Sequence, residues 1–528
     1  MKIETDNWFA GNLDGAGIEN HHLKNHYPAG MPSFQIDLKN WVAAAKLAKD
    51  AGMRLVSLWA AEGGREDSVL YAYIVFAHPA HRQIILRTGL DPDVPLLPSV
   101  SRHHVSAIRM ERTMQDMLGI KVDGLQDARR WIKHEHWPAE SYPLRSSFKP
   151  DAVMPQADGE YQFLKADGDG VYEIPVGPVH AGIIEPGHFR FLAVGEEILN
   201  LEERLGYVHK GIEKRIEGMR ATEAIKIASR VSGDTTVGHG WAFAKACENA
   251  ACLELPERAN ALRGVLCERE RMANHIGDIG AICNDVALAF MHMQMQKLRE
   301  DIAGIHKNIF GHRLLMNVII PGGLNRDIDT ESIRELGIQT KLIAKEVEEL
   351  REIYTNNASI QERVIGSGIV NRETAESIGL LGYAGRASGL SSDVRVDSPY
   401  PPYDKIKIDV FRTEHGDAAT RISVRFEEIK ESARIICQLL NNLPEGKTYT
   451  SWQAPEDGLC GFSTVEGWRG EIAHWIRFGS NGAIARCVIK DPSTVNWLAL
   501  ELAVRGLPVP DFPLNNKSFN CSYSGNDL

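Results

Sequence analysis

Leu262–Met293 is the stretch that most limits what this chain can fold into. Apolar or cysteine side chains stand at 262, 265, 266, 272, 276, 279, 283 and 286. Spacing by threes and fours predicts one long buried helix, with its cysteines as core residues. A helix buried over that length needs other helices around it, and the flanking sequence supplies them. Trp241–Leu255 reads as a helix ended by Pro256. Ile333–Tyr354 carries Leu342, Ile343, Val347, Leu350 and Ile353 on one face, and Ile429–Leu443 repeats the pattern. Pro321-Gly322-Gly323 is a break. Ile198, Leu201, Leu205, Val208, Ile212, Ile216 and Met219 have helical spacing too, interrupted at Gly206 and Gly211. Near the end, Glu471–Phe478 and Ala483–Ile489 flank Gly479-Ser480-Asn481-Gly482, a strong hairpin signal.

The first part of the chain reads differently. Residues 1–30 are polar and read as a loose arm. Leu38–Ala51 suits a helix, and Met53–Ala60, Val69–Ala77 and Gln83–Thr88 suit strands, with a turn at His78–His81. Met110, Met114, Met117 and Leu118 mark one face of a helix over 108–120, which by itself reads as a surface amphipathic helix. Pro150, Pro155 and Gly159 place a linker at 149–160. The expected fold class is α+β: an arm (1–30), a small α+β domain (31–148), the linker (149–160) and a large, mainly helical bundle domain with small edge sheets (161–528).

The net charge of -11 argues against nucleic acid as a partner. No run of about 18 apolar residues is present, and the start lacks a basic segment followed by an apolar one. Neither a membrane-spanning helix nor a signal peptide is therefore expected. The eight cysteines include no C-x-x-C pair, which predicts reduced thiols in a cytoplasmic protein. It also places no conventional iron–sulfur or zinc-ribbon site in this chain. No G-x-G-x-x-G loop follows a strand, so no dinucleotide site is read here.

Two short segments carry paired small nucleophiles three residues apart: Ser232/Thr235 in Arg230–His239, and Cys521/Ser524 in Ser518–Ser524. Two such pairs brought together would make a four-position metal pocket. Three of the four are alcohols, which stay protonated near neutral pH and are poor ligands for soft metals. Residues 174–198 hold two Gly/Pro clusters and read as a hairpin or loop carrying His180, Glu185 and His188; its bland reading is a turn with exposed histidines.

Glu111-Arg112, Asp116-Met117 and Gly119-Ile120, then a tryptophan segment and Pro143-Leu144-Arg145, resemble the C subunit of complex I (NADH:quinone oxidoreductase). The larger part resembles the complex I D subunit and the large subunit of energy-converting, membrane-bound NiFe hydrogenases. Gly177–His180, Glu185–Phe189, Gly206–Lys214 and Leu262–Asp285 carry that resemblance. Arg386–Gly389, Asp393–Arg395, Pro399-Tyr400, Gly416-Asp417, Val424–Glu428, Glu466–Glu471, Pro492-Ser493 and Asn496-Trp497 continue it. The Glu185–Phe189 and Gly206–Lys214 wording is similar to formate hydrogenlyase large subunits, which also carry a fused C-like domain.

The resemblance implies a core subunit of a membrane-associated oxidoreductase complex, cytoplasmic and held on the inner face of the cell membrane through partners. It implies a small 4Fe-4S partner subunit, like the complex I B subunit, and antiporter-like membrane subunits. In the hydrogenases two cysteine pairs hold Ni and Fe; their matching positions here are Ser232, Thr235, Cys521 and Ser524, one thiol of four. The expectation is a remnant pocket without the NiFe centre and no metal of its own. A zinc or iron held by Cys521, His239 and Asp234 would satisfy ligand chemistry, but nothing in their spacing demands it.

The complex I tyrosine that bonds the quinone headgroup falls at Gly233, which cannot donate such a bond and weakens a quinone site near His180, His188 and His239. The expected site residues are His180 and His188 on the hairpin, Asp234 and His239 in the pocket, and Asp393 with Arg395 as electrostatic anchor. Asp234 and Asp393 could carry protons or pair with Arg230 or Arg395. Two other readings remain: a non-catalytic scaffold of an ion-translocating complex, and a working hydrogenase, which the missing thiols disfavour.

Overall fold

The computed structural model of the protein describes residues 4–23, 26–64, 69–80, 82–151, 153–180 and 184–528. Its first sheet has five strands in the order Asn20–His22, Ser33–Ile36, Arg82–Leu90, Leu70–His78, Arg54–Glu62. Only the Ser33–Ile36/Arg82–Leu90 pair is parallel. The strands are apolar almost without alternation because both faces of the sheet are covered. One face takes the helices Trp41–Asp50 and Ile108–Leu118. The other stacks Trp59 on Tyr73 and on Phe462, with ring centroids 5.3 and 6.1 Å apart. Phe462 belongs to a second sheet, the meander Cys460–Gly467, Gly470–Phe478, Ile484–Lys490. The two domains therefore share a sheet-on-sheet interface.

The expected loose arm is not loose where it is described. Glu4–Gly15 is a helix that buries Phe9 and Leu13, and Asn20–His22 pairs with Ser33–Ile36. The turn expected at 78–81 ends at His81, outside the described residues. The helix Ile108–Leu118 is not a surface helix. Arg109, Glu111, Arg112 and Asp116 are buried with its methionines. Arg109 pairs with Glu203 at 2.8 Å, and Glu111 accepts from Val100 N and Ser99 Oγ. Gly119, at φ +70°, ends the helix where a Cβ would lie 2.7 Å from the Tyr142 ring.

In the large domain the central helix is Glu257–Asp285, packed by Ala289–Phe310, Thr330–Thr355, Ala418–Asn441 and Thr236–Ala250. The single helix expected over 262–293 is two, broken after Asp285, with Ala287 at φ 64°. Leu342 and Ile353, read on one face with Ile343, Val347 and Leu350, are exposed while those three are buried. The helical period from Ile198 is in fact the strand Glu197–Arg204, followed by a short helix, Ile212–Ile216. A bulge between Ile198 and Asn200 lets Ile198 and Leu201, three apart, face the same way, which imitates a helical period. Among the described residues, no helix is long and apolar enough to cross a membrane.

Candidate functional site

The pocket forms where three elements converge. Ser232–Thr235 precedes the helix Thr236–Ala250; Trp468-Arg469 is the turn of the meander; and Cys521–Ser524 follows Asn520, whose φ of 37° ends the helix Phe512–Phe519. The two paired segments do meet: Ser522 Oγ donates to Ser232 Oγ at 3.3 Å and lies 3.4 Å from Ser524 Oγ.

At its centre is Asp234. Its carboxylate takes a bidentate grip from Arg469, with Nη1 and Nη2 at 2.9 and 2.7 Å. Ser232 Oγ and Thr235 Oγ1 also donate to it, at 2.5 and 2.9 Å. The Trp468 indole and the Asn274 amide donate to the Asp234 carbonyl. Burial alone would raise the Asp234 carboxyl, but the Arg469 guanidinium and the two hydroxyls hold it well below the usual carboxylate range. It is ionised at neutral pH and paired with Arg469, not with Arg230. Arg469 reaches across to Asn520 O at 2.6 Å and ties both paired segments together. Cys521 is buried, and burial pushes its thiol far up, so it is not a thiolate near neutrality.

Around this lock the other expected residues fall into three groups. His180 and His188 lie on the hairpin of Val171–Val176 and His188–Val194; residues 181–183 of its loop lie outside the described residues. His180 Nε2 bonds Gly187 O at 2.8 Å. His188 Nδ1 donates to Gly177 O at 3.1 Å while its Nε2 accepts from Arg190. That pattern fixes a neutral ring, and burial together with Arg190 lowers its pKa. The hairpin touches the pocket through Glu185, whose carboxylate accepts from Ser524 N at 3.0 Å, and through Gly187, packed on Tyr523.

His239 is not in the pocket. It sits fully buried behind it, with Nε2 3.0 Å from Asp491 and Nδ1 3.1 Å from His474 Nε2. Asp491 abuts Gly525, where a Cβ would lie 2.6 Å from its carboxyl carbon. Asp393 and Arg395 lie in a buried charge cluster. Arg395 binds Asp393 and Glu268; Arg386 binds Glu428, Glu466 and Asp393; His275 donates to Glu428. Arg395 and Arg386 hold Asp393 low. Glu466, buried and beside Asp393, is pushed up to about 7. His275 links this cluster to the lock by an edge contact to the Trp468 ring, 5.8 Å between centroids.

Among the described residues, no three His, Cys, Asp or Glu side chains gather as a metal-holding group. Cys521, His239 and Asp234 are therefore not a ligand trio. Sequence reasoning missed Arg469, although Glu466–Glu471 was among the resembling segments. An arginine next to a tryptophan has no spacing that reveals a partner 235 positions away. It also missed Glu270, which caps Val237 N and Gly238 N at 2.6 and 3.0 Å and is pushed up to about 8 by burial and by Asp234.

Residues 34–153 match the family model of the respiratory-chain NADH dehydrogenase 30 Kd subunit, and residues 278–458 that of the 49 Kd subunit. Formate hydrogenlyase subunit 5 of Escherichia coli (strain K12) is 32% identical over 459 residues, 84% of this chain and 79% of that protein. The chain belongs to the family of complex I C/D-type and membrane-bound hydrogenase large subunits. Hydrogenase-4 component G of the same organism is 31% identical over 84% of this chain and 78% of its own. The C/D subunit of NADH-quinone oxidoreductase from Bacteroides thetaiotaomicron is 30% identical over 81% of this chain and 85% of its own. As a member of this family the chain is a complex-I-like, hydrogenase-related core subunit of an oxidoreductase.

Proposed function

We propose that this C/D-type subunit works in a membrane-associated complex that passes electrons from a partner 4Fe-4S subunit to a quinone, or couples them to ion translocation, without a NiFe centre. The partners would be a small 4Fe-4S subunit beside the Ser232/Cys521 pocket and antiporter-like membrane subunits, with the chain peripheral on the inner face of the cell membrane. The observation that carries this reading is the Asp234–Arg469 lock. The donor set around it does not fit nickel and iron: three neutral hydroxyls and one protonated thiol replace the thiolates that soft metals require. The ion pair itself ties together the two segments that would have to supply ligands.

With Asp234 ionised and paired, it serves as a fixed charge and not as a proton carrier. Proton supply to a substrate falls to the hairpin, where His180 sits on the element whose Glu185 meets Ser524 and the neutral His188 positions the loop through Gly177 O. The buried cluster of Asp393, Arg395, Arg386 and Glu466 borders the lock through His275 and Trp468, so a change of charge in the pocket would be felt there. His239, with Asp491 and His474, would steady the C-terminal segment from behind. The test is His188→Ala in the intact complex: quinone reduction should be abolished, and unchanged turnover would remove His188 from the site. A complex that oxidises and reduces nothing would favour the scaffold reading.

A further inference from the structure

The seam between the two domains encloses a cavity of about 500 Å³ with one apolar wall and one wall rich in charged side chains. The small domain contributes Leu58, Met110, Met114, Met117 and Phe148, with Met154 beyond it. The large domain contributes Lys210, Lys214, Arg486 and Lys490, interleaved with Glu213, Asp527 and the C-terminal Leu528. The volume is that of a small-molecule site. Methionine-rich walls adapt to flexible apolar chains.

The charged wall is paired only in part: Lys214 holds Glu217 at 2.7 Å and Arg486 holds Glu213 at 2.8 Å, which leaves Lys490 and Lys210. Lys490 is 4% exposed, and its amine donates only to the Glu471 carbonyl, at 3.3 Å. Lys210 donates to the carbonyls of Val208 and Ser524. Neither amine has a carboxylate within ion-pair distance among the described residues. Arg486 spends Nη2 on Glu213 and Nη1 on Cys487 O, but its buried Nε donates to nothing among the described residues. Buried cations and donors without acceptors are costly unless something satisfies them. Burial lowers Lys490 to about 8, and an anion arriving there would favour its charged form.

We propose that this seam is a binding site for a single-chain amphipathic carboxylate of the fatty-acid class, its chain against the methionine wall and its carboxylate on Lys490 and Arg486. The site is separate from the Asp234–Arg469 lock and does not rest on the functional reading given above. A two-chain phospholipid would share the acyl-and-anion chemistry, but the cavity suits one chain.

The test uses the purified complex, stripped of lipid, with tritiated palmitate in equilibrium dialysis and native mass spectrometry. Palmitate should bind about one per chain, and about tenfold more weakly to Lys490→Met, which keeps the stem but removes the charge. Met114→Trp, which fills the apolar wall, should weaken binding to a similar degree while leaving Lys490 in place. Phosphatidylglycerol vesicles should fail to displace the bound palmitate. Absence of binding, or equal binding to the parent and Lys490→Met, would overturn the proposal. Displacement by phosphatidylglycerol would overturn the assignment to a single-chain ligand.

Discussion

At the scale of single residues, the pocket is held by one ion pair that crosses 235 positions of sequence. Arg469 is 5% exposed at its side chain and Asp234 29%, so the pair is mostly desolvated but not sealed. Removing one partner leaves the other as an uncompensated charge. Arg469→Gln should therefore destabilise the chain by about 3 kcal/mol, at the lower end for buried pairs, measured as a shift of the urea midpoint. The double variant with Asp234→Asn should recover much of that loss; equal loss in both would show that the pair is not the source. Glu270 gives a pH signature. Its carboxyl is raised from 4.5 to about 8, so across that window the folded chain holds a proton that the unfolded chain has released. Its contribution is complete at low pH and is lost as pH rises towards 8. Glu270→Gln lacks this dependence. From about pH 5 to about pH 8 its stability relative to the parent should improve by about 1–3 kcal/mol, read from denaturation at both pH values. The paired hydroxyls and Cys521 were legible in the sequence as a pocket, but the ion pair at its centre was not. Partners found only by folding leave no period, and His239, three positions after Thr236, points away because the helix turns it towards Asp491.

At the scale of elements, periodicity read well wherever a helix buried one stripe, as in Glu257–Asp285 and Ala418–Asn441. It misled where a bulge put Ile198 and Leu201 on one side of a strand. It also could not tell a surface helix from a buried one at Ile108–Leu118, where buried ion pairs replace the polar face. The contact between the helix Thr236–Ala250 and the strand Cys460–Gly467 shows how closely the elements fit. At Gly461 an added Cβ would stand 1.8 Å from Ala246 O, a backbone atom that cannot rotate aside. Gly461→Ala should cost more than about 3 kcal/mol and lower the thermal midpoint, because the helix must lift off the sheet that carries Trp468 and Arg469. A variant as stable as the parent would mean that this packing has slack.

At the scale of the whole molecule, the α+β organisation was legible, but the seam between the domains was not. A sheet apolar on both faces reads as an ordinary core from sequence, and here its second face is an interface with the meander. Arg54 crosses that seam to Glu471, which is 2% exposed, with both guanidinium nitrogens engaged at 2.6 and 2.8 Å. Arg54→Met should speed amide hydrogen exchange in Arg54–Glu62 and Gly470–Phe478 together while leaving Thr330–Thr355 unchanged. Exchange rising everywhere would instead indicate a general loss of stability. The central claim is that the pocket is closed by an ion pair and holds no NiFe centre. Nickel analysis of the purified intact complex by mass spectrometry tests it most directly. No stoichiometric nickel is predicted, with iron confined to the partner subunit. About one nickel per chain, lost on Cys521→Ala, would contradict it and make Ser232, Thr235 and Ser524 part of a metal site.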